Sequence, residues 1–127
     1  MPLINMKKIG KEKRRKYMDI KKFKLAPHDI KKLIPNMGYC FASNKITCEK
    51  YGVGYMYRET PTDKYDSGWR FFAGVEEQEY IDNPNNFQIY DVNTIANYDE
   101  AIIPYLDSDI GNEYVRIDNT DSFTLIS

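Results

Sequence analysis

The chain has 127 residues, 42% of them hydrophobic and 14% aromatic, with a formal net charge of −1 at pH 7. This length fits one domain with one core, and the apolar runs are far shorter than the ~20 residues that a membrane-spanning helix needs. The basic N-terminus is not followed by an apolar stretch with a small-residue cleavage site, so we expect no secretory signal and predict a cytoplasmic protein.

The charge is divided unevenly along the chain. Residues 1–35 carry twelve basic and three acidic residues, whereas residues 36–127 carry six basic and sixteen acidic ones. We therefore predict a basic leader, residues 1–24, with an incomplete helical stripe, followed by a single domain, residues 25–127. A leader that is solvated or folded against its own acidic body is favoured over a nucleic-acid arm or a membrane-surface helix. The acidic body would repel nucleic acid, and aromatic residues are sparse in the leader.

In chain order, the first well-specified element is a short helix at 27–34, which Pro27 begins and Pro35 stops. From Gly38 onwards the phrases GYCFAS, KITCE and VGYMYRE are rich in Tyr and β-branched residues, which indicates strands. WRFFAG at 69–74 is the expected antiparallel partner of 53–59. The loop between these two strands, from Thr60 to Gly68, is too long for a tight turn.

The second half of the chain also combines short helices with strands. One or two helical turns are expected at 76–81, then a corner at 82–86 and a strand, FQIYD. Asn93 is the predicted N-cap of a helical turn through Ala96, and Asp99 caps a segment from Glu100 to Leu106 that Pro104 keeps short or irregular. EYVRID and SFTLIS form a terminal hairpin. The fold class is therefore α+β: a mainly antiparallel sheet of five or six strands with short helices on one face, after a basic helical leader.

The residues give little support to catalysis. His28 is the only histidine, and with Cys40 and Cys48 it forms no known zinc-ligand spacing, so a surface or capping role is favoured. Asp82 and Asp91 stand at turn and cap positions, which favours structure over acid–base work. We expect no enzymatic activity, no cofactor and no metal site. The two cysteines are expected to be reduced, although a disulfide across adjacent strands stays open.

Five phrases between residues 54 and 107 carry a resemblance. The phrases are GYMYRE at 54–59, DSGWRFF at 66–72, DNPNNF at 82–87, YDVNTIANYD at 90–99 and IIPYLD at 102–107. On these phrases, residues from about 38 to 127 resemble a family of bacterial immunity proteins of polymorphic toxin systems, the thirty-third in that series. Structural roles are expected for the motif residues Tyr55, Tyr57, Arg58, Trp69, Phe71, Asn93 and Asp99. For Trp69, a core position is favoured over an exposed contact.

The resemblance implies a partner rather than a reaction. A cytosolic immunity protein binds one toxin tightly and blocks it without chemistry of its own, and an acidic body suits a basic toxin. We expect the contact surface to include Asp63 and Asp66 in the 60–68 loop, with the acidic residues Glu76, Glu77 and Glu79 beside them. The alternative is a cytosolic ligand-binding or nucleic-acid-binding module that shares the domain. The oligomeric state stays open.

Overall fold

Six strands form one mixed sheet in residues 23–126, the part of the chain that the computed structural model describes. The strands are β1 (Tyr39–Ser43), β2 (Tyr55–Arg58), β3 (Asp66–Phe72), β4 (Phe87–Asp91), β5 (Glu113–Arg116) and β6 (Phe123–Leu125). Their order across the sheet is β4-β1-β3-β2-β5-β6. Every neighbouring pair is antiparallel except β1 and β3, which run parallel. The predicted α+β class and mainly antiparallel sheet are confirmed, and the parallel pair is an addition to it.

Short helices join the strands. They are α1 (Asn44–Thr47), α2 (Gln78–Ile81) and α3 (Val92–Tyr98), with 3-10 turns at Pro27–Asp29, Pro84–Asn86 and Glu100–Tyr105. Polar side chains cap them in the usual way: Ser43 accepts a hydrogen bond from the amide of Lys45, and Asp99 accepts one from the amide of Ala101. Within residues 23–126, no helix is long and apolar enough to cross a membrane.

The larger core lies between one face of the sheet and the helices. Trp69 is completely buried there, its ring stacks on Phe71 with centroids 5.8 Å apart, and its indole N–H donates to the carbonyl of Leu106 at 3.1 Å. The surrounding core includes Met56, Ile46, Val92, Ile95 and Ile102. Trp69 therefore occupies the core position that the sequence favours.

The opposite face of the sheet is also buried, by aromatic side chains. This smaller cluster consists of Phe41, Tyr55, Tyr57, Phe72, Ile81 and Phe87. Ile81 belongs to α2, so α2 lies on the face opposite α3 rather than sharing one face with it. Strands with aromatic residues on both sides need cover on both sides, which explains why Tyr55, Met56 and Tyr57 are all buried.

The helix predicted at 27–34 is wrong beyond its first turn. The 3-10 turn Pro27–Asp29 is followed by irregular backbone, whose polar groups bond to side chains on α3. The Asn93 amide oxygen accepts from the amides of Leu33 and Ile34, and the amide of Lys31 donates to Asn97. A helix would compete for those backbone groups, so contacts from a distant element decide the conformation.

Two further local predictions are corrected. The strand predicted at KITCE is wrong: Asn44–Thr47 form α1 instead, because Ser43 caps a helical turn directly after β1. The N-cap of α3 is Asp91, whose side chain accepts from the amide of Asn93, so Asn93 lies inside the helix. Both cysteines are free: Cys40 is buried in β1, where burial raises the pKa of its thiol, and Cys48 follows α1. The predicted leader, except Phe23 and Lys24, lies outside the described residues.

Candidate functional site

The five acidic residues predicted to contact a partner lie at opposite ends of β3. Asp63 and Asp66 are at its start, in what we call the loop end (residues 59–66), and Glu76, Glu77 and Glu79 follow its last residue, in what we call the ridge end (residues 73–80). Strand β3 has seven residues, so its ends are roughly 20 Å apart. The two groups are therefore separate surfaces rather than one.

At the loop end, the side chain of Asp66 is buried and forms an ion pair with Arg70. Its carboxylate accepts from both terminal nitrogens of Arg70, at 2.9 and 2.8 Å, and from the amides of Thr62 and Gly68. Burial by itself raises the pKa of this carboxyl, but the bonds from Arg70 and the two amides outweigh it and lower the pKa to about 2. Asp66 is thus a structural anion, and its side chain is not available to a partner.

Asp63 is exposed but also organises the loop. One of its carboxylate oxygens accepts from the amides of Tyr65 and Asp66, and the other accepts from the Tyr39 hydroxyl at 2.8 Å. This network holds the loop in one shape and leaves Tyr65 pointing to solvent with 66% of its surface exposed. The loop end can therefore present a tyrosine at low entropic cost.

At the ridge end, Glu76 is likewise engaged with the backbone. Its carboxylate accepts from the amides of Ala73 at 2.7 Å and Gly74 at 2.8 Å, and Gly74 adopts a left-handed φ of 93°. These constraints turn the chain sharply after β3 and leave Val75 with 53% of its surface exposed. A fixed apolar side chain thus projects at this end of the sheet, and we call residues 73–76 the Val75 ridge.

Glu77 and Glu79 line a groove of about 410 Å³ on one side of the Val75 ridge. Its opposite wall is Lys45, whose ammonium lies 4.8 Å from the ring centre of Tyr80 and 5.6 Å from that of Tyr51. The carboxylates of Glu77 and Glu79 have no hydrogen-bond or ion-pair partner among residues 23–126. Of the five predicted contacts, these two remain free for a partner.

A second groove, of about 490 Å³, lies on the other side of the Val75 ridge. Its floor is backbone from Gly52 to Gly54 and Ala73 to Gly74, and its walls include Tyr51, Val115 and Asp118. Gly54 is required here, because a β-carbon at this position would lie 2.1 Å from the carbonyl oxygen of Ala73. Val75 borders both grooves, so they form one continuous surface.

The motif residues hold the scaffold behind these surfaces. Arg58 donates from Nε to the carbonyl of Ser67 and from Nη1 to the carbonyl of Ser108. Asp99 accepts from the amide of Val53 at 2.8 Å and pairs with Arg116, which ties the 3-10 turn to the β2 and β5 side of the sheet. The motif residues Tyr55, Tyr57, Trp69 and Phe71 are buried, and none of the seven motif residues lines either of the two grooves.

The residues considered for chemistry are dispersed. His28 is exposed next to Asp29, and Asp82 and Asp91 accept bonds from Gln78 and the amide of Asn93. In the described part of the chain, no group of three or more His, Cys, Asp or Glu residues could hold a metal ion. The arrangement at the ridge end instead offers open carboxylates beside aromatic and apolar side chains, which are the elements of a recognition surface.

Sequence reasoning missed Val75, Tyr51, Val115 and Lys45 as parts of a surface. The phrase FFAGVEE contained a signal, because Gly74 marks a turn after the strand and the two acids that follow Val75 favour solvent. No comparable signal marks Tyr51 or Val115, since only the tertiary fold brings them to the same groove.

The sheet and the motif residues that build it lie in one stretch of the chain, from β1 to β6. A family model described as the Immunity protein Imm33 domain matches residues 40–127. The chain belongs to this family, which supports an immunity-type role in general. Comparisons with curated proteins and with solved structures gave no match.

Proposed function

We propose that the chain is a non-catalytic, cytoplasmic immunity protein of a polymorphic toxin system that binds and neutralises one cognate toxin. Family membership supports the immunity role. The observation that carries the binding proposal is the pair of open carboxylates, Glu77 and Glu79, in a groove that also offers Tyr80 and Lys45. A partner that covers these carboxylates removes their water. A cationic group on the partner replaces the lost hydration best.

Charge supports a basic toxin. Residues 36–127 contain six basic and sixteen acidic residues, so the body attracts cations over a distance set by the ionic strength. Complementary fields speed the encounter of two proteins and disfavour wrong partners. An inhibitor that must reach its toxin before damage occurs benefits from such steering.

The ridge end is the better contact surface of the two. At the loop end Asp66 is buried, and Asp63 is already bonded to Tyr39 and to two amides. At the ridge end Glu76 is bonded to the backbone, whereas the carboxylates of Glu77 and Glu79 have no partner within residues 23–126. We therefore propose Glu77 and Glu79 as the principal toxin contacts, with Asp63 as an additional contact on a second surface.

The first experiment recovers the toxin and then tests the site. The tagged full-length chain is used to retrieve partners from the native bacterium at low and high salt, and the retained proteins are identified by mass spectrometry. One basic protein in stoichiometric amount, toxic when expressed alone and harmless with the chain, is the expected result. Recovery of nucleic acid, or of no toxic protein, would contradict the proposal.

The site is tested by charge reversal with a matched control. The double variant Glu77→Lys/Glu79→Lys is compared with Asp107→Lys/Asp109→Lys, since both pairs are exposed acids two residues apart and both changes alter the net charge equally. We expect the first variant to weaken toxin binding by about 100-fold and the control by less than about fivefold, because only the first removes direct contacts. Equal effects would mean that overall charge, and not this groove, drives binding.

A further inference from the structure

We propose that the Val75 ridge and its two grooves form one docking surface for a basic loop of the toxin that carries an apolar side chain at its centre. This inference rests on the proposed function and assigns the contact to one face. The partner chemistry follows from three features of the surface: an exposed aliphatic centre, a groove with a bare backbone floor, and unpaired carboxylates on both sides.

The centre of the surface is apolar and held in place. Val75 is 53% exposed and Val115 is 38% exposed, and both line the second groove together with Tyr51. The bonds from Glu76 to Ala73 and Gly74 fix the Val75 ridge before any partner arrives. A preorganised apolar centre is the usual position of binding hot spots, because little entropy is lost when a partner covers it.

The second groove has room for a side chain from the partner. Three of the residues that line it are glycines, at 52, 54 and 74, and its volume is about 490 Å³. Gly54 and Gly74 also lie against each other, with the α-carbon of Gly74 3.4 Å from a β-carbon built on Gly54. A leucine, methionine or aromatic residue of a partner can therefore contact backbone between Val75, Val115 and Tyr51.

The charges around this centre that have no partner within residues 23–126 are negative on both sides, because Lys45 in the first groove is paired with Glu49 at 3.7 Å. Glu77 and Glu79 lie in the first groove, and Asp118 lies at the far wall of the second. The carboxylate of Asp118 has no partner within residues 23–126, whereas neighbouring Arg116 is engaged by Asp99 and Asp121. A loop with cationic residues flanking an apolar one satisfies all three acids while its centre is desolvated.

A basic protein fits this surface better than the other occupants. A second copy of the chain would place the same unpaired acids opposite themselves, and like charges facing each other oppose association. Nucleic acid would bring its phosphates to the same carboxylates and be repelled. The basic leader of this chain has the right charge as well, so the experiment distinguishes it from the toxin.

The binding test compares two substitutions of equal exposure. Val75→Arg adds bulk and positive charge to the centre of the surface, and Ile110→Arg makes the same change at a residue that is also 53% exposed but lines neither groove. The probe is the toxin retrieved from the native bacterium, titrated against each full-length variant. We expect Val75→Arg to weaken binding by about 100-fold and Ile110→Arg by less than about threefold, with unchanged melting temperatures for both.

A photo-crosslink identifies the occupant directly. The variant Val75→benzoylphenylalanine is irradiated with the toxin, and the linked peptides are sequenced by mass spectrometry. A link to a toxin peptide that contains Lys or Arg beside an apolar residue supports the proposal. A link to residues 1–22 of the same chain, a link to a second copy, or no link to the toxin overturns it.

The two proposals fail in different ways. If the wild-type chain binds no toxin, the proposed function fails and the docking surface fails with it. If the wild-type chain binds the toxin and Val75→Arg binds it equally well, only the docking surface is wrong and the toxin contact lies elsewhere.

Discussion

At the residue scale, the buried charge of Arg70 is the most demanding feature of the domain. Its guanidinium is completely buried, donates to Asp66 and to Glu59, and lies 4.8 Å from the ring centre of Phe41. A buried cation is tolerated only when its partners replace the lost hydration. The loop end supplies both carboxylates, which links the shape of that loop to the stability of the sheet.

Removing one partner of Arg70 should therefore lower the free energy of unfolding by an amount that depends on pH. Asp66→Asn is expected to lower the free energy of unfolding by about 3 kcal/mol at pH 7, because it leaves a buried charge partly unpaired. Hydrogen bonds lower the pKa of Asp66 to about 2, below its value of 3.8 in the unfolded chain, so its contribution is full above pH 4 and is lost as the pH falls through about 2. Urea unfolding at several pH values measures both effects.

The control for this prediction is Asp107→Asn, which removes a carboxylate that is exposed. It should change the stability by less than about 0.5 kcal/mol at any pH. The gap between wild type and Asp66→Asn should narrow as the pH falls from 4 and close below about pH 2, where most of the wild-type carboxyl is protonated as well. A gap of constant size down to that pH would show that Asp66 acts through packing and not through its charge.

The burial of Asp66 could not be predicted from the sequence, although the burial of its neighbour Trp69 could. Asp66, Gly68 and Arg70 alternate on one face of β3, but alternation does not say whether that face is covered. Trp69 was assignable to the core because a large aromatic residue next to a turn usually anchors it. Whether a carboxylate faces solvent or a buried arginine depends on a loop that returns from elsewhere.

At the element scale, strands were more predictable than helices. β2, β3, β4 and the β5–β6 hairpin follow from period-two patterns and turn residues that are local in sequence. The segment 31–34 escaped prediction because side chains of α3, about sixty residues later, bind its backbone. Local helix propensity contains no information about hydrogen bonds to residues so far along the chain.

Asn93→Ala should release this segment without unfolding α3. The substitution removes the acceptor for the amides of Leu33 and Ile34 and the donor to the carbonyl of Lys31. We expect these two amides to exchange with deuterium at least about tenfold faster, and the free energy of unfolding to fall by about 1–2 kcal/mol. Thr94→Ala, on the next residue of the same helix, is the control and should leave both amides protected.

At the scale of the whole molecule, the separation of charge should appear in the kinetics of toxin binding. The association rate constant should fall at least about tenfold between low salt and about 0.5 M salt, because screening removes the attraction of the acidic body. The dissociation rate constant should change much less, since short-range contacts at the Val75 ridge determine it. Stopped-flow measurements across this range of salt concentration give both rate constants. An association rate constant that does not change with salt would count against electrostatic steering.

The global arrangement was predictable only in part. The composition and the turn spacing were sufficient for the α+β class and for the antiparallel pairs that hairpins join. They could not indicate that β1 lies beside β3, because β2 intervenes in the chain and no local pattern encodes that neighbour. The separation of the predicted acidic residues into two surfaces has the same origin, since it follows from where β3 begins and ends.

The parallel pairing of β1 with β3 also has a consequence for how the chain folds. β2 and β3 can form their hairpin locally, whereas β1 joins β3 only after the chain between them has looped back, and β4 closes a longer loop still. Closing such loops costs entropy before the contacts form, which slows folding. The β2–β3 hairpin should therefore form early and the β1–β3 pairing later, with β2–β5, whose paired residues Tyr55 and Val115 are 60 positions apart, after both.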